Sequence, residues 1–264
     1  MVLSGNRIPV AVGVCPGSLR LNILIFCMKK MLVFLLGSLL VLNVRAQETV
    51  VRDANAALRA VKGYHGVKVS SAIDLYLSQG SEETVAVSAR DIKWRDRIVT
   101  EVVDGILISK LNGKGWALGN NKLKAYVSFT TLDLISATGA SNVYVDGVIA
   151  GDKLSLHFTG ASDFKGAVKV NNLDIDQSGA SDAHITGIVS GQATIRSSGA
   201  SDVKGYDLVT QDCTAHASGA SDIQVTVNKG LTADASGASS IYYKGEAVIR
   251  ESHSSGASNV TRKS

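Results

Sequence analysis

The chain has 264 residues and a formal charge of +4, with 27 Lys and Arg against 23 Asp and Glu. This length is sufficient for one substantial globular domain. Five of the basic residues lie in the first 46 positions, which hold no acidic residue, so the rest of the chain has 22 basic and 23 acidic residues, a formal charge of −1. We therefore expect no nucleic-acid binding, because this function needs a concentrated positive field.

Residues 28–46 have the pattern of a secretory signal peptide. A basic start over residues 28–30 precedes an apolar run over residues 31–44, and small residues precede the predicted cleavage after Ala46. The run is shorter than the roughly 20 apolar residues that a membrane span needs. We predict that residues 1–27 are an upstream extension and that the mature protein has no stable membrane span. An uncleaved signal anchor is the alternative.

Residues 47–132 are β-patterned but show no repeat. Alternating apolar and polar residues predict the strands Val67–Val69, Ile73–Leu77, Thr84–Ala89, Ile98–Val103, Ile106–Lys110 and Lys122–Phe129. Asp104-Gly105 indicates a tight hairpin or a rung corner, and Asp91–Arg97 is predicted to form one helical turn. We expect Trp94 and Trp116 to pack in a core or an end cap, with stacking on a sugar ring as the alternative.

Residues 133–264 contain one pentad seven times: Ser or Thr, then Gly-Ala-Ser, then Asp, Asn or Ser. Its glycines are Gly139, Gly160, Gly179, Gly199, Gly219, Gly237 and Gly256. Their spacings of 21, 19, 20, 20, 18 and 19 residues predict a solenoid, in which each repeat buries its apolar face against its neighbours. We predict an all-β, single-stranded, right-handed parallel β-helix over residues 47–264. Its N-terminal rungs, over residues 47–132, are expected to be irregular, and residues 133–264 to form seven regular rungs.

Alignment on the glycines sorts the repeats into columns. The positions four residues before and four residues after each glycine are mostly apolar, so we expect them to point inward. Cys213, the one cysteine after residue 46, stands in another apolar column and is predicted to be a buried, inert thiol. Such a lone cysteine forms no internal disulfide, so the core must supply the stability.

The pentad itself predicts a rung corner. Its glycine allows a positive φ or a close backbone approach, its alanine is expected to point inward where the rung narrows, and its serine hydroxyl to bond along the stack or to the turn. The last position forms a carboxylate column made of Asp163, Asp182, Asp202 and Asp222. We expect these side chains to be solvated or bonded to their own turn N–H groups. A calcium ladder is the alternative, since this ion prefers oxygen ligands.

A second polar column lies three residues before each glycine and includes His216 and Asp234. We expect it to face outward and to fix the register through surface charge, with a metal site on this pair as the alternative. The sequence thus predicts no catalytic residue, no cofactor and no metal ion.

The pentads and the segment Gly66-Val-Lys-Val-Ser-Ser-Ala-Ile-Asp-Leu-Tyr-Leu-Ser-Gln-Gly80 resemble the family described as putative auto-transporter adhesin, head GIN domain. The likeness covers about residues 60–260. It implies an exported β-helix of Gram-negative bacteria, located in the periplasm, at the outer-membrane surface or outside the cell. The family brings no catalytic residue set.

Three functions follow as hypotheses. The first is a non-enzymatic, adhesin-like binding or scaffold module that presents a flat face to a glycan or an envelope component. The second is a polysaccharide-acting enzyme, although the even spacing leaves no room for long cleft-building loops, and a catalytic pair needs two carboxyl groups in different environments. The third is a structural module that self-associates through exposed rung edges.

Overall fold

The computed structural model describes residues 53–113 and 121–264. The predicted upstream extension, the predicted signal peptide and Trp116 lie outside these residues. The structure is about 70% strand and 2% helix. Its strands are β1 (Ala57–Arg59), β2 (Gly66–Val69), β3 (Ile73–Gln79), β4 (Thr84–Ser88), β5 (Ile98–Val103), β6 (Ile106–Leu111), β7 (Leu123–Phe129), β8 (Leu134–Gly139), β9 (Val143–Gly160), β10 (Phe164–Gly179), β11 (Asp182–Ser197), β12 (Asp202–Ala217), β13 (Asp222–Gly237), β14 (Ser240–Lys244), β15 (Val248–Gly256) and β16 (Asn259–Arg262), and a short helix α1 (Ile92–Arg95) lies between β4 and β5.

The strands wind into a β-solenoid of about 6 turns, with mostly parallel rungs about 20 residues apart. Each long strand from β9 to β13 pairs in parallel with the strand before it and the strand after it, so that Phe164 of β10 lies opposite Val143 of β9 and Ala183 of β11. The predicted all-β parallel solenoid is therefore confirmed. The predicted strands of residues 67–129 are also confirmed, with ends that differ by at most two residues.

The hairpin and the helical turn that the sequence predicts within residues 47–132 are confirmed as well. Asp104 and Gly105 have φ values of 51° and 74° and join β5 to β6 in an antiparallel hairpin. The predicted helical turn is α1, which begins after Asp91, whose side chain accepts a hydrogen bond from the backbone N–H of Lys93. Trp94 is partly buried against the core, and the guanidinium of Arg97 lies 4.5 Å from the centre of its ring.

The N-terminal rungs do not follow chain order. Strands β2 and β3 form one rung; β6 and β7 stack on one side of it, and β8 and β9 on the other. The described parts of the intervening chain, residues 80–113 and 121–133, therefore fold back to the N-terminal end instead of lying between their sequence neighbours. There β1, β4 and β5 add antiparallel pairs. Ser71 (φ 67°) and Ala72 (φ 57°) form the corner of the β2–β3 rung, where the regular rungs have Gly-Ala.

The core is the row of inward columns along the solenoid. The columns four residues before and after each pentad glycine are fully or almost fully buried, except in the last rung. Their buried members are Ile135, Leu156, Ile175, Ile195, Ala215 and Ala233, and Val143, Phe164, Ala183, Val203, Ile223 and Ile241. In the last rung, Ser252 is exposed and Val260 is partly buried. Each rung thus buries its apolar side chains against the next, as the alignment predicts.

The prediction that the pentad alanines point inward is wrong. The exposed alanines are Ala140, Ala161, Ala180, Ala200, Ala220, Ala238 and Ala257. The fully buried serines are Ser141, Ser162, Ser181, Ser201, Ser221 and Ser239. The Ala161 N–H donates to the Gly139 carbonyl of the preceding rung at 2.7 Å, which holds the alanine methyl group outside. The inward serine hydroxyls bond to the backbone: Ser239 Oγ donates to the Ser236 carbonyl at 2.8 Å, and Ser201 Oγ accepts the Ser181 N–H at 3.2 Å.

Candidate functional site

The carboxylate column bonds to the stack itself. Asp163 Oδ1 accepts the backbone N–H of Asp182 at 3.1 Å, and Asp202 Oδ1 accepts that of Asp222 at 3.2 Å. Lys204 Nζ lies 2.8 Å from Asp182 Oδ2, and this hydrogen bond raises the pKa of Lys204. The carboxylates of Asp163, Asp182 and Asp202 therefore tie one rung to the next rather than capping their own turns. Nowhere in residues 53–113 and 121–264 do three or more His, Cys, Asp or Glu side chains form a group that could hold a metal ion.

The second polar column faces outward, as predicted. His216 Nδ1 lies 3.7 Å from Asp234 Oδ2 on the adjacent rung, and both side chains are about half exposed. Arg196 Nη1 lies 3.0 Å from Asp174 Oδ1, a residue of a neighbouring column. These contacts link adjacent rungs at the surface, and His216 and Asp234 supply two ligands, which is fewer than a structural metal site needs.

Cys213 lies inside the solenoid and has no accessible thiol. Its side chain stacks between Ala193 and Leu231 of the adjacent rungs and is 2% exposed. Burial raises the pKa of Cys213 to about 12, because the thiolate would lose its hydration. This environment disfavours a nucleophilic role.

Three tyrosines on adjacent strands form a stack, the tyrosine ladder: Tyr126 on β7, Tyr76 on β3 and Tyr144 on β9. The register places these residues opposite one another. The ring of Tyr76 lies 5.2 Å from each of the other two, with interplanar angles of 25° and 24°. Such stacked pairs stabilise the sheet by about 0.5–1.5 kcal/mol each. Tyr144 is 36% exposed, so the ladder is open to solvent.

Burial raises the pKa of each ladder tyrosine. The pKa of Tyr126 rises to about 12, first through desolvation and then through its hydrogen bond to Asp53. All three hydroxyls are therefore protonated at neutral pH and can donate and accept hydrogen bonds.

A groove of about 420 Å³ lies beside the ladder, and we call it the basic groove. Its lining residues are Asp53, Asn55, Ser88, Ala89, Arg90, Lys122 and Lys124. Lys124 Nζ lies 5.9 Å from the centre of the Tyr76 ring and 3.8 Å from Asp53 Oδ2. The Tyr126 hydroxyl donates to Asp53 Oδ2 at 3.0 Å. Two residues therefore connect the groove directly to the ladder.

The groove carries three basic side chains and one acidic side chain. Burial raises the pKa of Asp53, but hydrogen bonds from the Asn55 N–H, Ser88 and Tyr126, together with the nearby Lys124, outweigh it, and the pKa is lowered. Asp53 is therefore ionised at neutral pH, and the groove remains net positive. Within the described residues, the ion pair of Lys124 with Asp53 is the one salt bridge in the groove.

Sequence reasoning missed both the ladder and the groove. Their residues lie on β3, β4, β7 and β9, directly after β4, directly before β7 and in the segment before β1, which are distant along the chain. One signal was available: Tyr144 stands five residues after Gly139, and Tyr76 stands five residues after Ser71. Treating Ser71-Ala72 as an eighth corner would have placed these tyrosines in one outward column.

These features define an all-β solenoid with an aromatic and cationic outward face near its N-terminal end. In the part of the chain that the structure describes, no helix has the length and apolar character needed to cross a membrane. The model of the family described as putative auto-transporter adhesin, head GIN domain, matches residues 63–247. The chain therefore belongs to this family, as the sequence resemblance predicts.

Solved structures share the fold. A putative adhesin from Bacteroides fragilis is 20% identical, with a TM-score of 0.73, over 79% of this chain and 96% of that one. A putative adhesin from Parabacteroides merdae is 16% identical, with a TM-score of 0.62, over 79% and 95% of the two chains. A putative lipid binding protein from Parabacteroides distasonis is 18% identical, with a TM-score of 0.58, over 79% and 98%. No curated protein sequence matches the chain.

Proposed function

We propose that the protein is an exported, non-enzymatic, adhesin-like module that presents its outward sheet face to a glycan or another envelope component. The observation that carries this proposal is the tyrosine ladder, which places three aromatic rings 5.2 Å apart on the outward face of the sheet, with Tyr144 36% exposed. Tyrosine combines a large apolar ring with a polar tip, a combination that is enriched at binding surfaces. Membership of the adhesin-like family supports the same function.

The carboxylate column favours binding over hydrolysis or lyase chemistry. Asp163 and Asp202 make the same hydrogen bond to the next rung. Acid–base catalysis needs two carboxyl groups whose environments move their pKa values apart. A repeated structural role does not provide that difference.

The last rung disfavours self-association through its edge. Strands β15 and β16 each pair with one other strand in the described chain. However, the register shift between Leu231 and Thr232 leaves Arg250 of β15 as an extra residue, and its guanidinium pairs with Asp212. A bulge and a charged side chain at an edge strand are features that discourage pairing with another chain.

The test begins with the protein as the cell exports it. Cell fractionation and N-terminal sequencing are expected to show export and a mature protein that begins at Gln47. Retention in the cytoplasm would contradict the exported role.

A second experiment measures binding of the protein to envelope polysaccharide fractions, a glycan array and whole cells. Saturable binding to at least one of them is expected, with no release of new reducing ends from the polysaccharides. A folded, monodisperse protein that binds none of them would overturn the binding function, and cleavage of a polysaccharide would restore the enzymatic alternative.

A further inference from the structure

We propose that the basic groove and the tyrosine ladder together form one site for an acidic oligosaccharide whose sugar residues carry carboxylates. This inference rests on the proposed function and names the ligand class for the same face. The cations of the groove would receive a carboxylate, and the ladder would receive the sugar rings that follow it.

The two parts of the site are continuous. Lys124 lines the groove and also approaches the Tyr76 ring, while Tyr126, the first ring of the ladder, bonds to Asp53 in the groove. From there the rings continue through Tyr76 to Tyr144, across three adjacent strands. A ligand that starts in the groove therefore meets the ladder without a gap.

Polar groups lie beside the rings, as an oligosaccharide requires. Asp74 and Asn142 stand two residues before Tyr76 and Tyr144 and thus occupy the neighbouring outward positions on the same strands. Asn142 Nδ2 donates to Asp74 Oδ1 at 3.0 Å, so the pair is held in place. Sugars combine apolar C–H faces with hydroxyl rims. Aromatic rings fit the faces, and an amide with a carboxylate fits the rims.

The charge of the groove selects an acidic ligand. Asp53 is engaged by Tyr126, Lys124 and the Asn55 N–H. Arg90 and Lys122 are exposed, and neither forms a salt bridge within residues 53–113 and 121–264. A guanidinium offers paired N–H donors that match the two oxygens of a carboxylate.

The backbone at Lys122 adds an independent observation. This residue has a φ of 43°, in the left-handed region that side chains other than Asn and Asp seldom adopt. Backbone strain of this kind clusters at binding sites, where the surrounding structure holds a side chain in place. Lys122, at the rim of the groove, is one such strained position.

The same face is less suited to a membrane surface. Recognition of anionic lipids by charge typically uses clusters of four to eight basic residues, whereas the groove has three and one acidic residue. The ladder also presents polar tyrosine hydroxyls beside Asp74 and Asn142, and not the apolar face that inserts into a bilayer. We therefore assign a glycan, and lipid binding becomes an outcome of the test.

The experiment measures binding of the exported protein to a hexameric oligogalacturonate by calorimetry. The same hexamer with its carboxylates methyl-esterified is the matched neutral probe. We expect the acidic hexamer to bind at least tenfold more tightly than the ester, and its affinity to fall as the salt concentration rises, because exposed charges are screened.

Three variants test the two halves of the site. The double variant Arg90→Gln/Lys122→Asn removes both charges and keeps a residue that tolerates a positive φ, and we expect about tenfold weaker binding of the acidic hexamer. Tyr76→Ala is expected to weaken binding of the acidic hexamer roughly fivefold, whereas Tyr76→Phe, which keeps the ring, should stay close to wild type. Both effects should be absent in Lys229→Gln and Tyr242→Ala, which remove one lysine and one tyrosine from the C-terminal rungs.

The outcomes separate this site from the general function. If all variants bind the acidic hexamer like wild type, the groove and ladder are not the site, but the adhesin-like function stands. If the folded protein binds no glycan and no envelope fraction, both proposals fail. Binding to vesicles of equal parts phosphatidylglycerol and phosphatidylcholine, without binding to the hexamer, would overturn the glycan assignment.

Discussion

The substitution Gly199→Ala tests whether the pentad glycines set the distance between rungs. Gly199 has a φ of +84°, and a Cβ at this position would lie 2.6 Å from the carbonyl oxygen of Gly179 and 3.0 Å from its nitrogen. Both atoms belong to the backbone of the preceding rung and cannot rotate away. The same carbonyl accepts the Ala200 N–H at 2.8 Å. A methyl group must therefore push two hydrogen-bonded rungs apart.

Three effects add up in this variant. A left-handed alanine costs about 1–2 kcal/mol, the weakened hydrogen bond about 1 kcal/mol, and the overpacked contact about 1–3 kcal/mol. We expect Gly199→Ala to lower the free energy of unfolding by about 3–6 kcal/mol, a large part of the about 5–15 kcal/mol that a domain has. Gly147 is the matched control, because its φ is +82° and a Cβ there would meet nothing within 4 Å. Gly147→Ala should cost only the first of these terms, about 1–2 kcal/mol.

Urea unfolding followed by far-ultraviolet circular dichroism gives both the free energy of unfolding and the m-value. The m-value must be compared between variants, since a repeat array can lose its two-state behaviour when one rung is weakened. Losses of free energy that agree within about 1 kcal/mol for Gly199→Ala and Gly147→Ala would refute the steric argument. Only the shared cost of the positive φ would then remain.

Three further predictions concern buried and paired groups. Ser201 is fully buried and its Oγ accepts the Ser181 N–H at 3.2 Å, so Ser201→Ala should lower the free energy of unfolding by about 1–3 kcal/mol; no difference from the exposed control Ser190→Ala in urea unfolding would contradict this. Cys213, with its pKa raised to about 12, should react with a thiol reagent such as DTNB only after denaturation, and rapid labelling of the folded protein would show that the thiol is accessible. The pKa of Asp53 is lowered in the folded state, so its contribution to stability is present above the ordinary pKa of 3.8 and is lost as the pH falls through the folded value. Tyr126→Phe removes one of the hydrogen bonds responsible, and urea unfolding over a pH series should show a smaller loss of stability on acidification than in wild type.

The regular rungs could be predicted from sequence because each repeat carries the same information at a fixed spacing. The glycines mark the corners, and the apolar columns around them identify the inward positions. The prediction that the pentad alanines point inward was wrong because it relied on the small size of alanine and the polarity of serine, and not on their positions along the chain. Counting alternate residues between the two apolar columns places Ser201 inside and Ala200 outside, as the structure has them. A buried serine is tolerated because its hydroxyl meets backbone partners at every rung.

The order of the N-terminal rungs could not be predicted in the same way. Strand β3 pairs with β9 although residues 80–133 separate the two strands in sequence, and the local signal for this pairing is weak. The corner that would have revealed the rung has Ser71 in place of glycine. The basic groove depends on this arrangement, because Asp53 and Lys124 meet only after the intervening chain has folded back. Long-range pairing of this kind is set by the whole fold and not by a local sequence period.

The regular rungs and the irregular N-terminal rungs differ in the side chains that they present to solvent. One outward column, traced by register along the solenoid, begins with the three ladder tyrosines and continues through Lys165, His184, Lys204 and Gln224. In the regular rungs, Lys204 of this column is already bound to Asp182 of the adjacent rung. The exceptions to the repeat gather at the N-terminal end, with the ladder, the strained Lys122 and the basic groove. The stacking of the rungs accounts for the residues that recur in every repeat. For the residues that depart from the repeat, a ligand is the better explanation.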